Sequence, residues 1–553
     1  GKYKLSGNAQ VKHADNSIVN NTNRTNFLAN GDTYDRMVAN NRNHNFTLST
    51  DHQFYFEFKN ANLNIKPRFN YQYYNNKSGY SSLTLNRSFT SFSKAQLDSL
   101  YTPMIGRELI RTAINRNLRN GLSIGHSLEG SVSMESLIKF KHSPDHITLY
   151  ADASLRHATE NSFDRNRIDY YTNGLQSNTD FRNRYFNNRP DHGYSMTGKV
   201  TYSYLVKRGL FFDFSYKYNR TTSNRYSSLY RLDQLADWGI NSEHELGTLP
   251  SVDAYNRVMD IHNSYDSRQT DNTHTLGAFL VWNKKTTKSE WWAQFVPNLS
   301  LLSRTMHYHS GNVDTTFTKR SILYNMYSTF IKWRSTDHKY EFMFQYHVNG
   351  QAPDMNLFVN ILNTTAPLNV TMGNTNLKPS YKHELISHFL RIYPKKGLMW
   401  LIEAQYIPTV NAIAMGYTYD KATGQRTFRP DNVNGNWRGQ LALGGAGPLT
   451  KNRKLDFKAM AGLRYEKSVD LIGLAGTSAS NRSIVESLNY IGDLQLNYRL
   501  GQSSIGFISK GNWAHVDGTR EDFEAFNVSD FNYGLTAQLQ LPWDFRLGTD
   551  LIA

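Results

Sequence analysis

Arginine and tyrosine side chains are concentrated in residues 156–192, where they could hold a ligand. Guanidinium groups bind anions through charge-assisted hydrogen bonds, and aromatic faces stack on flat ligands. Nucleic acid would suit the same mixture of side chains in isolation. We predict that this stretch is a polar surface loop and a candidate binding site for a solute. The candidate contact residues are Arg165, Arg167, Tyr170, Tyr171, Arg182, Arg184 and Tyr185.

Histidine and carboxylate residues lie close together at two further places, where they could begin a metal site. His307 and His309 alternate, so both imidazoles would share one face of a strand, but such a site needs at least one more ligand. Residues 243–245, Glu-His-Glu, could also offer ligands. We predict instead that the histidine pair lies on the polar face of its strand at the base of a loop, and that residues 243–245 are solvated. We therefore predict no metal and no cofactor.

Motifs for covalent catalysis give no support to an enzyme. The sequence has neither a His-Glu-x-x-His pattern nor a phosphate-binding loop that ends in Gly-Lys-Ser/Thr. It contains no cysteine, which excludes disulfide scaffolds, zinc–thiolate sites and cysteine nucleophiles. We predict that the protein is not an enzyme.

The composition excludes two structural classes. The 553 residues carry a formal net charge of +16, yet 13% of them are aromatic, which is too many for a disordered polar chain. No apolar run approaches the ~20 residues that a membrane-spanning helix needs. A chain of this length must then form several domains or one large β structure.

Apolar and polar residues alternate along much of the chain, which is the period of a β-strand. One face of residues 63–73 is apolar throughout, and residues 196–204 and 210–218 form a predicted hairpin with one apolar face. Many runs are about twice as long as the strands of a soluble sandwich, and they are long enough to cross a bilayer. We predict an all-β fold, a large antiparallel transmembrane barrel, in which the apolar face around Tyr202 and Phe214 contacts lipid.

The connections alternate between short turns and long polar stretches, as in outer-membrane barrels with short periplasmic turns and long extracellular loops. In this arrangement the polar face, which includes His307 and His309, lines the lumen. We predict about 16 to 20 strands in this chain, which implies a wide lumen that is either a water channel or plugged. The predicted long loops are residues 75–120, 156–192, 219–272, 302–320, 349–381, 410–436 and 466–487.

One segment carries a recognisable motif. In Gly-Asn-Thr-Asn-Leu-Lys-Pro-Ser at 373–380, the first two residues suit a turn, and the proline fixes the chain as it enters a strand. The segment resembles the Gly-Asn-Pro-x-Leu-Lys-Pro-Glu signature in the barrel of TonB-dependent outer-membrane receptors, and it departs from that signature at Thr375 and Ser380. The matching residues, to which we assign a structural role, are Gly373, Asn374, Leu377, Lys378 and Pro379.

Shorter matches extend the resemblance over most of the chain, to the outer-membrane β-barrel family of TonB-receptor-like proteins. No segment resembles the plug or the energy-coupling box of such proteins, and the chain lacks the final aromatic strand, so we predict that residues 1–553 are one incomplete barrel domain, an excerpt of a 22-stranded barrel. The matching pieces are residues 22–23, 31–34, 366–369, 433–437, 448–449, 498–501 and 541–545.

The resemblance implies a function in the outer membrane of a Gram-negative bacterium. A solute would bind at the extracellular loops and pass through a plugged polar lumen, driven by the TonB complex acting on a plug outside this chain. The other expected partners are outer-membrane lipid, lipopolysaccharide and a surface lipoprotein, and nucleic acid is not expected. One alternative is a passive porin-like or structural outer-membrane barrel. A second alternative is a soluble all-β surface adhesin or glycan-processing protein.

Overall fold

The computed structural model shows an almost entirely β protein. It describes residues 2–26, 32–99, 107–311, 313–360, 363–420, 422–474, 481–519 and 523–552. Its α-helices are short: α1 (Lys94–Asp98), α2 (Arg107–Thr112) and α3 (Val252–Asn256). Within the described ranges, no helix has the length and apolar character needed to cross a membrane.

Most strands are long. Their residues alternate in type because successive side chains point to opposite faces of one sheet, which have two different environments. In chain order they are β1 (Lys2–Asn26), β2 (Thr33–Glu57), β3 (Ala61–Leu85), β4 (Ala113–Lys139), β5 (His146–Thr172), β6 (Leu175–Lys207), β7 (Leu210–Arg231), β8 (Tyr265–Lys285), β9 (Ser289–Phe295), β10 (Pro297–Ser310), β11 (Val313–Ser335), β12 (Tyr340–Gln351), β13 (Asn369–Thr371), β14 (Ser380–Tyr393), β15 (Leu398–Val410), β16 (Ala412–Tyr419), β17 (Arg426–Val433), β18 (Asn436–Pro448), β19 (Leu455–Leu474), β20 (Asn481–Leu500), β21 (Ser503–Gly518), β22 (Phe526–Gln540) and β23 (Arg546–Ile552).

Neighbouring strands of the wall pair antiparallel in chain order, which is the up-and-down topology of a barrel. Strands β9 and β10 are two halves of one wall strand, because both pair with β8 and with β11. Strands β13, β16 and β17 lie outside the wall. The described residues therefore contain nineteen wall strands, within the predicted range. The barrel fold predicted from the alternation is confirmed.

The apolar face of the wall points outward and forms a continuous belt. Tyr202 and Phe214 pair across β6 and β7, and their side chains are 42% and 49% exposed. Because so many large apolar side chains would be exposed to water on a soluble protein, the belt is the lipid-facing surface of a membrane barrel. We use "apolar belt" for the outward-facing residues of 46–56, 63–73, 128–138, 147–155, 196–204, 210–218 and 276–282 and their equivalents on later strands.

The predicted long loops are in large part strands, and this corrects the sequence prediction. Residues 156–192 are not a loop: β5 and β6 run through them and are joined at Asn173 and Gly174, whose positive φ values of 52° and 78° form the turn. The predicted loops 302–320 and 410–436 are likewise hairpins, of β10–β11 and β16–β17. Above the membrane both faces of a strand contact polar surroundings, so the alternation that marks a strand in the belt is lost there.

A β-bulge in β6 reverses the faces of that strand. Ala158 and Glu160 of β5 pair with Asp191 and Asn188, so β6 has one extra residue between the two pairs. Because side chains alternate with period two, one extra residue exchanges the inward and outward sets. In β6, even-numbered residues therefore face lipid below the bulge and the lumen above it.

Candidate functional site at the extracellular mouth

The connection between β12 and β14, residues 352–379, folds into the barrel instead of outward. We call it the inward segment. Its short 3₁₀ helix, Met355–Phe358, places Met355 and Phe358 against Met306, on the lumen face of β10. All three of these side chains are at most 1% exposed. Lys319 of β11 donates to the carbonyl of Thr375 at 2.8 Å. Apolar burial and a cationic hydrogen bond thus hold the inward segment against the wall.

The motif residues at 373–379 hold the inward segment in place. A Cβ on Gly373 would lie 2.2 Å from the carbonyl oxygen of Val359, so only glycine fits this position. The Asn374 side chain is 5% exposed and donates to the carbonyl of Pro430 at 3.0 Å. Leu377 packs with Met355 and Phe358 in the same apolar cluster.

The last two motif residues connect the inward segment to its surroundings. The backbone of Lys378 exchanges hydrogen bonds with the Asn432 side chain, at 2.7 and 3.1 Å. Pro379 directly precedes β14. The whole motif thus joins the inward segment to the neighbouring β16–β17 hairpin and returns the chain to the wall.

Strands β16 and β17 form a second element at the mouth, which we call the crossing hairpin. It leaves the wall at Asn411, whose φ is +52°, and it returns at Gly435, whose φ is +111°. Below it, β15 and β18 pair directly as far as Thr409 and Asn436. The side chain of Asn432 donates to the carbonyl of Asn411 at 2.9 Å, which fixes the bend.

The tip of the crossing hairpin contacts the opposite side of the barrel. Arg426 donates to Asp35 of β2 at 3.1 Å, and the same carboxylate accepts from Arg24 at 2.5 Å and from Asn26 at 3.0 Å. Asp35 lies near the extracellular end of β2, outside the apolar belt. Burial alone would raise its pKa, but the hydrogen bond from Asn26 and the charge of Arg426 hold the pKa of Asp35 below its ordinary value.

A second contact fixes the tip against β4. The Asn115 side chain donates to the carbonyl of Thr423 at 3.1 Å, and a Cβ on Gly424 would overlap that side chain. The crossing hairpin and the inward segment also pair with each other, through the parallel bridge of β13 with β17. Together they extend across the mouth from one wall to the other.

The structure separates the seven candidate contact residues of the β5–β6 hairpin onto two faces. The inward and outward sets follow from the pairing register and from the bulge in β6. Three face the lumen: Tyr170, Arg182 and Arg184. Four face outward: Arg165, Arg167, Tyr171 and Tyr185. The structure therefore does not bring the seven side chains together, and their binding of a solute stays a prediction.

The two inward arginines support the inward segment. Arg182 donates to the carbonyl of Thr364 at 2.9 Å, and Arg184 donates to the carbonyl of Thr365. Arg184 is 3% exposed and forms a buried ion pair with Asp164, which Arg119 also contacts. The guanidinium groups of both arginines already bond to protein atoms. We therefore assign them the role of positioning the inward segment at the mouth.

Two of the outward residues, Tyr185 and Arg165, contact the connection between β7 and β8, residues 232–264, whereas Tyr171 packs against Leu97 and Leu109 of the connection between β3 and β4. Tyr185 stacks on Phe163 at 5.0 Å and on Tyr230 at 5.5 Å, and Arg165 donates to the carbonyl of His244 at 2.8 Å. These side chains hold a loop against the outside of the wall. They are therefore remote from the lumen.

The predicted histidine pair also lies on the outward face, and this corrects its assignment to the lumen. His307 and Leu301 are both odd-numbered residues of β10 with no bulge between them, and Leu301 faces outward at 49% exposure. His307 contacts Thr316 at 3.1 Å and Asp314 at 3.5 Å. Among the described residues, no three histidine, cysteine, aspartate or glutamate side chains are arranged to hold a metal ion.

A serine with catalytic-motif spacing is structural. Residues 121–125, Gly-Leu-Ser-Ile-Gly, match the Gly-x-Ser-x-Gly pattern of nucleophile elbows, but they lie within β4 and form no turn. Ser123 donates to Glu160 at 2.7 Å, in a lumen network that Tyr74 joins at 2.9 Å. The sharp strand-to-helix turn that exposes a catalytic serine is absent at this position.

A cavity of about 330 Å³ lies between the inward segment and the inner wall. Tyr265 of β8 and Tyr308 of β10 line it as a stacked pair, with ring centroids 6.0 Å apart and planes 13° apart. Arg225 of β7 and His262 complete its wall side. Sequence reasoning missed this group, but one signal was available: Tyr265 is an aromatic residue whose next neighbours of the same parity in β8, Ser267 and Gln269, are polar.

The wall, its apolar belt and its short turns define the class of the molecule as an outer-membrane β-barrel. Comparison with family models agrees: residues 328–551 match the model described as "Outer membrane protein beta-barrel family". The predicted membership of an outer-membrane β-barrel family is confirmed over that part of the chain, and the protein resides in the outer membrane of a Gram-negative bacterium. No curated protein matches the chain.

Several solved structures are similar to this chain at low identity. The siderophore receptor PiuA from Acinetobacter baumannii is 10% identical, with 100% of this chain and 77% of that chain covered and a TM-score of 0.38. The copper transporter OprC is 10% identical, with 99% and 74% covered and a TM-score of 0.44. The ferric-catecholate import receptor Fiu from E. coli K12 is 12% identical, with 98% and 77% covered and a TM-score of 0.37.

Proposed function

We propose that the barrel belongs to a receptor for TonB-dependent uptake, which binds a solute at its extracellular mouth and passes it through the polar lumen. The observation that carries this proposal is the crossing hairpin. It bends inward at Asn411 and Gly435 and bonds to Asp35 on the far side. Elements joined across the entrance obstruct the free diffusion of solutes, which suits a receptor that opens on demand better than an open channel.

We propose the following partners for such a receptor. Outer-membrane lipid contacts the apolar belt, and lipopolysaccharide contacts the outward-facing polar surface above it. The TonB complex acts through a plug that is not part of residues 1–553, and a surface lipoprotein binds at the extracellular side. Two of the seven candidate residues of the β5–β6 hairpin, Arg182 and Arg184, serve this function indirectly, since they hold the inward segment.

Electrical conductance separates this proposal from a passive porin. The full-length protein, reconstituted in planar bilayers, is expected to show no steady open conductance. Two plug-free proteins are then compared, one with the crossing hairpin and one in which a short turn replaces residues 412–433. The variant without the hairpin is expected to conduct more ions. Steady conductance of the unmodified full-length protein would contradict the proposal and would favour the passive barrel.

Dependence of uptake on energy provides a second test of the proposal. Cells that express the full-length protein are depleted of TonB, and uptake of candidate solutes is compared with that of undepleted cells. The proposal requires uptake that disappears on depletion. Equal uptake with and without TonB would leave only a diffusion channel.

A further inference from the structure

The cavity behind the inward segment has the features of a binding site for a specific chemical class. We call it the tyrosine pocket, and its main lining residues are Arg225, His262, Tyr265, Tyr308, Asn356 and Met415. We infer that it binds a saccharide of one or two rings that carries a single carboxylate. This inference rests on the proposed uptake function and assigns the solute class to the mouth.

The aromatic wall of the pocket suits a flat ligand face. Tyr265 of β8 and Tyr308 of β10 are nearly parallel and stacked, so they form one aromatic cluster beside the cavity. Tyr265 is 38% exposed, which leaves ring surface open to the cavity. Aromatic side chains bind by their apolar faces and keep the hydroxyl available for a hydrogen bond. A sugar ring, with its apolar C–H face and its rim of hydroxyls, matches such a surface.

The polar groups divide into those already bonded and those still available. Asn263 donates to Asp260 at 2.9 Å, and Asn363 accepts from Thr365 at 2.6 Å, so both are used in holding loops. The side chains of Arg225, His262 and Asn356 make no hydrogen bond to any residue that the structure describes. These three, with the Tyr265 hydroxyl, surround the cavity with unused donors and acceptors, whereas the Tyr308 hydroxyl contacts Ser310.

The charge of the pocket indicates how many negative groups a well-matched ligand carries. Arg225 is the one permanently charged side chain among the lining residues that the structure describes, and no carboxylate lines the cavity. One guanidinium pairs with one carboxylate in a bidentate geometry. A metal chelate with several negative charges, or a polyphosphate, would leave charge uncompensated.

The size and the polar groups exclude simpler monoanions. A space of about 330 Å³ corresponds to roughly ten water molecules at ~30 Å³ each, which suits one or two sugar rings. A small aromatic acid would satisfy Arg225 and the tyrosines, but it would leave His262 and Asn356 without ligand partners. Sites that hydrogen-bond hydroxyl groups discriminate strongly against ligands that lack them.

Access to the pocket is controlled by both elements of the mouth. Met415 of the crossing hairpin and Gly373 of the inward segment line the same cavity. A ligand in the tyrosine pocket would therefore contact the wall, the segment and the hairpin together. This arrangement makes the pocket part of the entrance and not a depression in an inert wall.

Calorimetry with three defined probes tests the inference on the full chain purified in detergent. The probes are cellobiouronic acid, which has two rings and one carboxylate, the neutral disaccharide cellobiose, and benzoate. Cellobiouronic acid is expected to bind about tenfold or more tightly than cellobiose, because one charge-assisted hydrogen-bonded pair distinguishes them. Benzoate is expected to bind more weakly than either disaccharide. Tighter binding of benzoate, or no binding of the acid, would overturn the inference.

Two matched variants connect the result to the pocket. Arg225→Gln should bring the affinity for the acid down to that for cellobiose, whereas Arg220→Gln, on the outward face of the same strand, should change neither. Tyr308→Ala should weaken both disaccharides, and Tyr308→Phe should largely restore them. If Arg225→Gln kept the preference for the acid, the assignment would be wrong even if a sugar bound.

The outcomes for the pocket and for uptake are distinguishable. TonB-dependent uptake of another solute, together with no acid binding here, would remove the pocket assignment and keep the receptor. Specific binding of the acid by a protein that conducts as an open pore would keep the pocket and remove the receptor. Each result is obtained from a separate measurement.

Discussion

The apolar belt and the extracellular mouth are built on the same strands but are specified in different ways. In the belt, each residue's surroundings follow from its position in an alternating strand, as with Tyr202 and Phe214. At the mouth, the contacts that join one side to the other depend on residues far apart in sequence, and Asp35 and Arg426 are 391 positions apart. The belt is thus a local property repeated many times, whereas the mouth is a single arrangement that depends on the whole wall.

A charge in the belt should have the largest effect on stability. Phe214→Arg places a cation on the lipid face and is expected to destabilise the barrel by about 2–4 kcal/mol. Thr201→Arg, on the lumen face of the neighbouring strand, should cost much less because water solvates the new charge. Urea unfolding in lipid vesicles, followed by tryptophan fluorescence, measures both. Equal costs would show that the two faces are not lipid and lumen.

A substitution at Gly373 tests whether the conformation of the mouth depends on single residues as strongly as that of the belt. Gly373→Val would force a side chain into the backbone at Val359, and we expect about 1–3 kcal/mol of local destabilisation, since overpacked sites relax only partly. Hydrogen exchange of residues 352–379 should become faster while exchange in the belt strands stays unchanged.

A second glycine provides the control for that experiment. A Cβ on Gly239 would have no neighbour within 4 Å, so Gly239→Ala should leave exchange in the inward segment unaltered. If Gly373→Val also left it unaltered, the close approach to Val359 would not be a feature of the protein in solution.

Asp35 should determine how firmly the crossing hairpin is held. Asp35→Asn leaves Arg426 without a carboxylate, and in a double-mutant cycle with Arg426→Gln we expect a coupling of about 1–3 kcal/mol. Hydrogen exchange of residues 412–433 provides the measurement. The exposed ion pair of Asp15 with Arg42 is the matched control, and Asp15→Asn should have almost no effect on the hairpin.

The pH dependence of this contact has a definite sign. Because the folded protein lowers the pKa of Asp35, the ionised carboxylate stabilises the hairpin at pH values above the ordinary carboxyl range, and this stabilisation is lost as the pH falls through the lowered pKa. Protection of residues 412–433 should therefore persist in mild acid and decrease only in stronger acid. Asp35→Asn should remove that decrease.

The smallest effect is expected at Arg165, on the outward face. Arg165→Gln removes a hydrogen bond to the carbonyl of His244 and should change stability by less than about 1 kcal/mol. It should not alter ligand binding at the mouth, whereas Arg182→Gln should loosen the inward segment at Thr364. Loss of solute binding in Arg165→Gln would restore the predicted outer-loop site.

The belt could be predicted from the sequence because apolar and polar residues alternate within each strand separately. The sequence could not predict the bulge in β6, where one extra residue between Asn188 and Asp191 moves Arg182 and Arg184 to the lumen face and Tyr185 to the outside. Nor could it show that residues 156–192 are paired strands, because both faces are polar above the membrane. The motif at Gly373 was found as a pattern, but its function in holding the inward segment required the contact with Val359.

The direct pairing of β15 with β18 beneath the crossing hairpin has an evolutionary consequence. Since the wall is already sealed at Thr409 and Asn436, the hairpin above them can be lengthened, shortened or exchanged without breaking a single rung of the ladder below. Selection can therefore act on this appendage while the circumference of the barrel is inherited unchanged.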